Sequence, residues 1–150
     1  MQRERLLVVG NGMAGLKLIE ELQALAPDRF DITVIGAEPE PAYNRVLLSS
    51  LLAGEVARAD VQLKTRAWYG DHAIRLETGR TAVALDTARR AVTLCDGEAV
   101  PFDRLVLATG ADPIRLPLPG GALAGVMTFR TLDDIADLGA AAAKGAPACR

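Results

Sequence analysis

The sequence predicts an α/β fold in which a parallel β-sheet is combined with a three-stranded antiparallel β-meander. Three observations lead to this prediction. Near the start, an apolar run, a glycine-rich turn, a helical segment and a second apolar run follow one another, which is the order of a βαβ unit. Residues 81–102 alternate between apolar and polar side chains, as antiparallel strands do. Residues 104–110 supply a further apolar run for the parallel sheet.

The first apolar run leads into the turn around which the chain is organised. Residues 6–9 predict a short buried strand, and Gly10, Gly12 and Gly15 then fall in the spacing G-x-G-x-x-G. In such turns the first glycine permits the tight bend, the second lets a pyrophosphate approach the backbone, and the third lets the helix pack on the sheet. The N-terminus of the helix binds phosphate through unpaired N–H groups and a partial positive charge. The turn predicts a Rossmann-like, dinucleotide-binding fold.

The residues after the turn strengthen this interpretation. A helix is predicted over Met13–Leu25, followed by a second strand over residues 31–35. Glu38 follows Gly15 by 23 residues, close to the offset of about 20 expected for the acid that binds an adenosine ribose. The alternative is a glycine turn without a ligand. The predicted apolar face of the helix consists of Ala14, Leu18, Leu22 and Leu25.

Composition limits the possible functions. The chain has 150 residues, 50% of them hydrophobic and 24% charged, and its formal net charge of −2 offers no basic surface for nucleic acid. No run approaches the roughly 20 apolar residues of a membrane span, and the first apolar run is too short for a signal peptide. We therefore predict a cytoplasmic location without a nucleic-acid or membrane partner. Cys95, Cys149 and His72 form no metal-ligand or nucleophile pattern, so neither a metal site nor a catalytic residue is predicted.

A proline-interrupted segment follows the ribose-binding acid. Prolines prevent residues 39–45 from being helical throughout, and a short helix is predicted from there to residue 53. Ligands lie at the carboxyl ends of parallel strands, so Tyr43, Asn44 and Arg45 are candidates for contact with a phosphate or a ring. Local packing is the alternative for Tyr43, and a solvated surface charge is the alternative for Arg45.

The meander would replace a helix as the crossover back to the parallel sheet. The dipeptide Asp96-Gly97 is a strong hairpin signal between its second and third strands. A helical turn through Trp68, which we expect to be a packing residue, precedes it. The predicted strands of this part of the chain are residues 73–76, in the parallel sheet, and residues 81–86, 91–95 and 99–102, in the meander.

The last third of the chain begins with the strand over residues 104–110. Its small final residues either let a cofactor approach the backbone or serve close packing; they are Ala108, Thr109 and Gly110. After a loop rich in proline and glycine, residues 125–129 predict a short strand. Thr131 and Asp134 then have the spacing of a capping box that opens a final helix.

Four stretches of the chain form a combination typical of one enzyme superfamily. They are the turn Gly-Asn-Gly-Met-Ala-Gly, the segment Ala-Glu-Pro-Glu-Pro-Ala-Tyr-Asn-Arg-Val-Leu-Leu-Ser-Ser, residues 102–110 and residues 129–134. Together they resemble the FAD-dependent pyridine nucleotide oxidoreductases, over nearly the whole chain. Within these, the chain is most similar to the N-terminal flavoprotein part of the NAD(P)H-dependent assimilatory nitrite reductase large subunit. Ferredoxin and rubredoxin reductases come next.

The resemblance implies that the fold is a Rossmann-like FAD-binding domain and that FAD is the dinucleotide. The implied contacts are Glu38 for the adenosine ribose, Val83 for the adenine, and Arg45, Ser50 and Arg130 for the flavin side. The implied pyrophosphate contacts are Gly10, Gly12, Met13, Ala14 and Gly15, and a second approach to the cofactor is formed by Ala108, Thr109 and Gly110.

The resemblance also implies a reaction. The flavin would accept a hydride from NAD(P)H and pass electrons to a downstream carrier domain or protein, in nitrite reduction. Disulfide reductases of this superfamily carry Cys-x-x-x-x-Cys after the second strand, but residues 43–50 contain no cysteine, so thiol chemistry is not expected. Residues 1–130 would be the first, incomplete segment of the FAD-binding domain. Residues 131–150 would be a helical connector toward an NAD(P)H-binding domain outside this chain.

Three alternatives remain at this point. The chain could be a flavoprotein of the ferredoxin or rubredoxin reductase type, or a stand-alone Rossmann module that binds NAD(P) in the same turn. It could also be a degenerate structural or interaction domain, although the intact glycine spacing and Glu38 argue against degeneration.

Overall fold

Residues 3–145 are described by a computed structural model of the chain, which has the predicted α/β architecture. Its strands are β1 (Glu4–Val9), β2 (Phe30–Gly36), β3 (Arg75–Thr78), β4 (Ala82–Asp86), β5 (Ala91–Leu94), β6 (Ala99–Pro101) and β7 (Arg104–Leu107). Its helices are α1 (Met13–Leu25), α2 (Leu48–Leu52), α3 (Arg58–Val61), α4 (Arg66–Asp71) and α5 (Leu132–Ala143), and a 3₁₀ turn over Arg45–Leu47 leads into α2.

The described residues divide into two compact units. The first contains residues 3–43 and 62–110, and so includes both sheets, α1 and α4. The second contains residues 44–61 and 111–145, with α2, α3 and α5. Leu48, Val61 and Leu132 are its buried apolar side chains among the described residues.

The first unit is built on a four-stranded parallel sheet in the order β3-β2-β1-β7. The strand β1 lies inside this sheet, where Val8 pairs with Val34 of β2 on one side and with Val106 of β7 on the other. The predicted strand over residues 6–9 is confirmed, and all four of its side chains are buried. An uninterrupted apolar run is what a strand covered on both faces requires.

One face of the parallel sheet is covered by helix α1, whose predicted bounds are confirmed. Its predicted apolar face is confirmed only in part: Leu18 and Leu22 pack against the core, whereas Ala14 is exposed and Leu25 is 80% exposed. The start of the helix determines which of its side chains face the sheet, because Gly15 packs there against the backbone of the preceding turn. This contact sets the rotation of the helix about its axis. The buried residues of α1 are Gly15, Leu16 and Ile19, with Leu18 and Leu22 partly buried beside them.

The other face of the sheet is covered by the predicted antiparallel meander, in the order β4-β5-β6. The hairpin signal at Asp96-Gly97 is confirmed, since the backbone N–H of Leu94 donates to the carbonyl of Glu98 at 2.9 Å across the turn. The meander therefore takes the place of a second layer of helix. The buried residues of this second core are Leu7, Val9, Ile35, Val92, Leu94 and Phe102.

Two local features of the structure differ from what the sequence predicted. The strand expected over residues 125–129 is absent: the N–H of Val126 donates to Leu123 within a turn, and the hydroxyl of Thr128 contacts Asp134. A strand needs the backbone of a neighbour to pair with, and periodicity alone cannot supply one. The single turn α3 was not predicted, because four residues are too short to show a helical period.

The predicted capping box at the start of α5 is confirmed. The hydroxyl of Thr131 accepts from the N–H of Asp134 at 3.1 Å, and the Asp134 carboxylate accepts from the N–H of Thr131 at 2.9 Å. These two hydrogen bonds satisfy backbone donors that a helix start would otherwise leave unpaired. The last residues of the connector predicted over 131–150, from 146 onward, lie outside the described residues.

An ion pair links strand β1 to the residue just before its sheet neighbour β7. The guanidinium of Arg5 on β1 donates to both carboxylate oxygens of Asp103, at 3.0 Å and 2.8 Å, and the backbone N–H of Arg5 donates to the same group at 2.8 Å. The side-chain hydrogen bonds from Arg5, followed by the backbone hydrogen bond, hold the pKa of Asp103 well below its ordinary value.

We predict that the Asp103→Asn variant is less stable than the wild type above pH ~4 and that this difference shrinks as the pH falls below that value. The folded-state pKa is depressed, so the ionised carboxylate contributes stability above its unfolded-state pKa and loses it as the pH falls through the folded-state pKa. Urea unfolding of both proteins across this pH range measures the difference. A difference independent of pH would contradict the prediction.

Candidate functional site

The glycine turn between β1 and α1 is held between the ends of two other strands. The N–H of Gly10 donates to the carbonyl of Ile35 at the end of β2, at 2.8 Å. On the opposite side, a Cβ atom on Gly10 would lie 2.1 Å from the carbonyl oxygen of Ala108, which follows β7. Gly10 also has φ +112°, a conformation that side chains disfavour. The position therefore requires glycine for structural reasons alone.

Gly15 has the packing role expected from the spacing. A Cβ atom at this position would lie 2.5 Å from the carbonyl oxygen of Gly10, a distance that non-bonded atoms do not reach. The helix can start so close to the strand only because Gly15 has no side chain.

Gly12 differs from both of these glycines. Its φ of −100° and ψ of −172° are extended backbone that any residue adopts, and a Cβ atom built on it has no neighbouring atom within 4 Å. Neither the backbone nor the packing of the protein therefore requires glycine here. A ligand that approaches the backbone would require it, which is the predicted role of the second glycine.

The start of α1 is suited to bind an anion. Gly12 is the N-cap residue, no side chain caps the helix, and no acidic residue lies in its first turn. The side chains of Met13 and Ala14 are exposed. The first N–H groups of a helix have no partner within it, so this end offers hydrogen-bond donors and a positive dipole to a pyrophosphate.

Glu38 lies just after β2, at the same edge of the sheet as the glycine turn. Its carboxylate oxygen Oε2 accepts a hydrogen bond from the hydroxyl of Tyr43 at 2.5 Å. Tyr43 itself is only 5% exposed. Of the two sequence interpretations for Tyr43, the structure therefore supports local packing, with the hydroxyl directed at the predicted ribose-binding acid.

The other predicted residues of the first unit lie on β4 and just after β7, and all but one of them are exposed. Val83 on β4 is 59% exposed, at a point where the register between β4 and β5 is irregular. Ala108 is half-buried beneath Gly10, and its N–H donates to the carbonyl of Val9 at 2.7 Å. Thr109 and Gly110 beyond it are exposed. An exposed apolar side chain is suited to contact a flat ring, and small residues at a strand end let a cofactor approach the main chain.

In the second unit the structure brings Arg45 and Arg130 together. The guanidinium of Arg45 donates to the backbone carbonyl of Arg130 at 3.0 Å. Ser50 lies on α2, where its carbonyl accepts from the N–H of Glu55. Asn44, the remaining candidate, caps the 3₁₀ turn, because its side-chain oxygen accepts from the N–H of Val46 at 3.0 Å.

Asp134 fixes the backbone around Arg130. Its carboxylate accepts from the N–H groups of Arg130 and Thr131, at 2.7 Å and 2.9 Å. Desolvation raises the pKa of Asp134, but these backbone hydrogen bonds, assisted by the hydroxyls of Thr131 and Thr128, outweigh it and leave the pKa below its ordinary value. The carboxylate therefore stays ionised at neutral pH and holds the Arg130 backbone in place.

The sequence interpretation missed Asn11, which ties the glycine turn to its surroundings. Its side-chain oxygen accepts from the hydroxyl of Tyr69 at 3.0 Å, and its amide nitrogen lies 3.4 Å from the carbonyl of Glu40. Burial raises the pKa of Tyr69, which keeps the hydroxyl protonated as a donor. The sequence does show a polar residue between two glycines, which could have indicated a role for Asn11 in the turn, but nothing in the sequence placed Tyr69 beside it.

Comparison with known proteins identifies the family. The sequence profile described as pyridine nucleotide-disulphide oxidoreductase matches residues 4–144. The chain belongs to this family. This is a family of oxidoreductases, and membership in it implies FAD as the cofactor. The open backbone at Gly12, the uncapped start of α1 and Glu38 fit an FAD molecule.

Individual relatives are named as nitrate, nitrite and ferredoxin reductases. The assimilatory nitrate reductase electron transfer subunit of Bacillus subtilis and the NAD(P)H nitrite reductase of the same organism are each 43% identical over 134 residues, covering 89% of this chain. The solved structure of a ferredoxin reductase from Rhodopseudomonas palustris matches with a TM-score of 0.85 and 28% identity, covering 95% of this chain and 35% of that chain. The chain spans only 17% of the length of each Bacillus relative.

Two further findings concern other kinds of site. Within residues 3–145, no three His, Cys, Asp or Glu side chains are grouped in a way that could hold a metal ion. No helix in this part of the chain is long and apolar enough to cross a membrane.

We predict that Gly10→Ala and Gly12→Ala have very different effects on stability. Gly10→Ala should lower the free energy of unfolding by ~2 kcal/mol or more, because the new methyl group collides with a carbonyl and the φ angle is unfavourable. Gly12→Ala should change it by less than ~0.5 kcal/mol, because the methyl group enters open space. Urea unfolding without added nucleotide measures both. Equal destabilisation by the two variants would contradict the assignment of Gly12 to a ligand.

Proposed function

We propose that this chain is the FAD-binding portion of an NAD(P)H-dependent oxidoreductase that passes electrons onward in nitrite reduction. The observation that carries the proposal is Gly12, a glycine that the protein's own structure does not require, at the uncapped start of α1. Bound FAD supplies the ring that accepts the hydride, while the protein supplies binding and orientation. The residues of this chain would hold the cofactor rather than react themselves.

Each predicted residue has a distinct part in that binding. The backbone from Gly10 to Gly15, including Met13 and Ala14, would hold the pyrophosphate, with Ala108, Thr109 and Gly110 as the second approach. Glu38 would accept from the adenosine ribose, and Val83 would contact the adenine. Arg45, Ser50 and Arg130 would contact the flavin side, where guanidinium groups favour negative charge on the ring. The support for these roles is the geometry of each residue within its own unit.

The nitrite assignment is supported by the relatives. Two proteins at 43% identity are named for nitrate and nitrite reduction. A ferredoxin reductase type of flavoprotein is the second candidate, supported by the structural match to the Rhodopseudomonas protein. Under either proposal, residues 1–130 form the first segment of the FAD-binding domain, and residues 131–150 connect it to an NAD(P)H-binding domain. The electron acceptor would be a carrier domain or protein, and a cytoplasmic location stays a prediction.

A stand-alone module that binds NAD(P) in the same turn is the alternative within the fold. The glycine turn and Glu38 suit the adenosine and pyrophosphate of NAD as well as those of FAD. What favours FAD is the family membership together with the small residues from Ala108 to Gly110 at the end of β7, of which Thr109 and Gly110 are exposed. Competition between FAD and NADH for the purified chain distinguishes the two.

We predict that the purified chain, incubated with FAD and passed through a gel-filtration column, retains flavin absorbance. The Gly12→Val variant should lose it, because a branched side chain would occupy the position of the pyrophosphate. The matched control is Gly70→Val, at a helical glycine that also has no atom within 4 Å of its Cβ position and lies outside the turn. Flavin retained equally by the wild type and Gly12→Val would contradict the site. A wild type that binds NADH but no FAD would favour the alternative.

A further inference from the structure

We propose that Tyr43 is a positioning residue for the adenosine half of the cofactor, because its hydroxyl orients the Glu38 carboxylate toward the ribose 2′-hydroxyl. This inference rests on the proposed function, in which Glu38 binds the ribose. It assigns to Tyr43 a role without ligand contact, so that it acts only through the acid.

The hydrogen bond itself carries the first step. The phenol oxygen of Tyr43 lies 2.5 Å from Oε2 of Glu38, the length of a strong bond between a hydroxyl and a carboxylate. Tyr43 is almost completely buried, so its ring cannot swing away without opening the core. Its backbone is fixed too, because Tyr43 forms an isolated antiparallel bridge with Gln62.

The backbone of the acid is held as firmly as its side chain. The N–H of Gly79 donates to the carbonyl of Glu38 at 2.9 Å, and the guanidinium of Arg66 donates to the carbonyl of Pro39 at 2.7 Å. The main chain at Glu38 and at the next residue is therefore fixed from the connection between β3 and β4 and from α4. The Tyr43 hydroxyl in turn restricts the side-chain torsions of Glu38.

The chemistry of the Tyr43 hydroxyl determines whether it strengthens or weakens the contact between Glu38 and the ribose. A carboxylate has about four lone-pair positions on two oxygens, so one bond from Tyr43 leaves it able to accept from a ribose. A phenol is a neutral donor, so its hydrogen bond orients the carboxylate without adding a charge. Fixing the torsions before binding removes part of the entropy that a ligand would otherwise lose. The ribose contact should therefore be weaker without the hydroxyl.

The experiment compares ADP with 2′-deoxy-ADP, which differ only in the hydroxyl that the acid is expected to bind. Calorimetric titration of the whole chain should show tighter binding of ADP. Tyr43→Phe retains the buried ring and should reduce the ADP preference by about three- to tenfold. Tyr69→Phe is the matched control: this tyrosine is also buried, but its hydroxyl donates to Asn11 in the turn that would hold the pyrophosphate of both nucleotides. It should change both affinities alike and leave the ADP preference at the wild-type value. The ratio of two affinities is insensitive to a partial loss of folded protein.

A double-mutant cycle shows whether Tyr43 acts through the acid. Glu38→Ala removes the acceptor and should abolish the ADP preference, and adding Tyr43→Phe to Glu38→Ala should then have no further effect. An unchanged preference in Tyr43→Phe would overturn the inference while leaving the proposed function intact. A wild type that binds neither FAD nor ADP would overturn the proposed function and the inference with it.

Discussion

The close approach of Gly10 to the carbonyl of Ala108 is the constraint on which the rest of the first unit depends. Strands β1, β2 and β7 end side by side, and the chain must leave β1 in the narrow space between the other two. Only a residue without a side chain, at positive φ, fits that space. The exit from β1 in turn determines where α1 begins, and Gly15 must then pack on the same turn. The position and rotation of the helix follow from two backbone contacts.

The three glycines of the motif are often treated as one signal, but the structure separates them by cause. Gly10 and Gly15 are required by the packing of the protein on itself, whereas Gly12 is adjacent to open space and has ordinary backbone angles. A residue that the protein's own packing does not require is a stronger indication of a ligand than one that the fold requires. Under the proposed function, the helix N-terminus and the glycine turn would form a binding surface that exists before any cofactor arrives.

The acid beyond β2 shows the same preorganisation by different means. Glu38 is oriented by a buried hydroxyl, and the main chain around it is tied to the start of the meander through Gly79 and to α4 through Arg66. The meander therefore does more than cover the second face of the sheet. Arg80 extends this support, since its guanidinium pairs with Asp96 and Glu98 of the hairpin and joins the end of β3 to the meander. A carboxylate held in this way loses little freedom when a ribose binds.

The sequence by itself determined the features that depend on local chemistry. The glycine spacing, the bounds of α1, the hairpin at Asp96-Gly97 and the capping box at Thr131 could all be read from it, because turn, cap and periodicity signals act over a few residues. The family resemblance rested on the same short motifs. It also assigned site roles to Arg45 and Arg130; the guanidinium of Arg45 contacts the Arg130 carbonyl, and the site roles stay a prediction.

Only the tertiary structure decided which surfaces meet. The buried face of α1 shares Leu18 and Leu22 with the predicted face but is centred on Leu16 and Ile19, because the close contact of Gly15 with the turn sets the rotation of the helix. Residues 125–129 have the pattern of a strand but no neighbour to pair with, so they remain a loop. The hydrogen bond from Tyr43 to Glu38 joins two side chains whose relation depends on the path of the loop between them. Such contacts are set by three-dimensional packing, which a pattern along one chain does not encode.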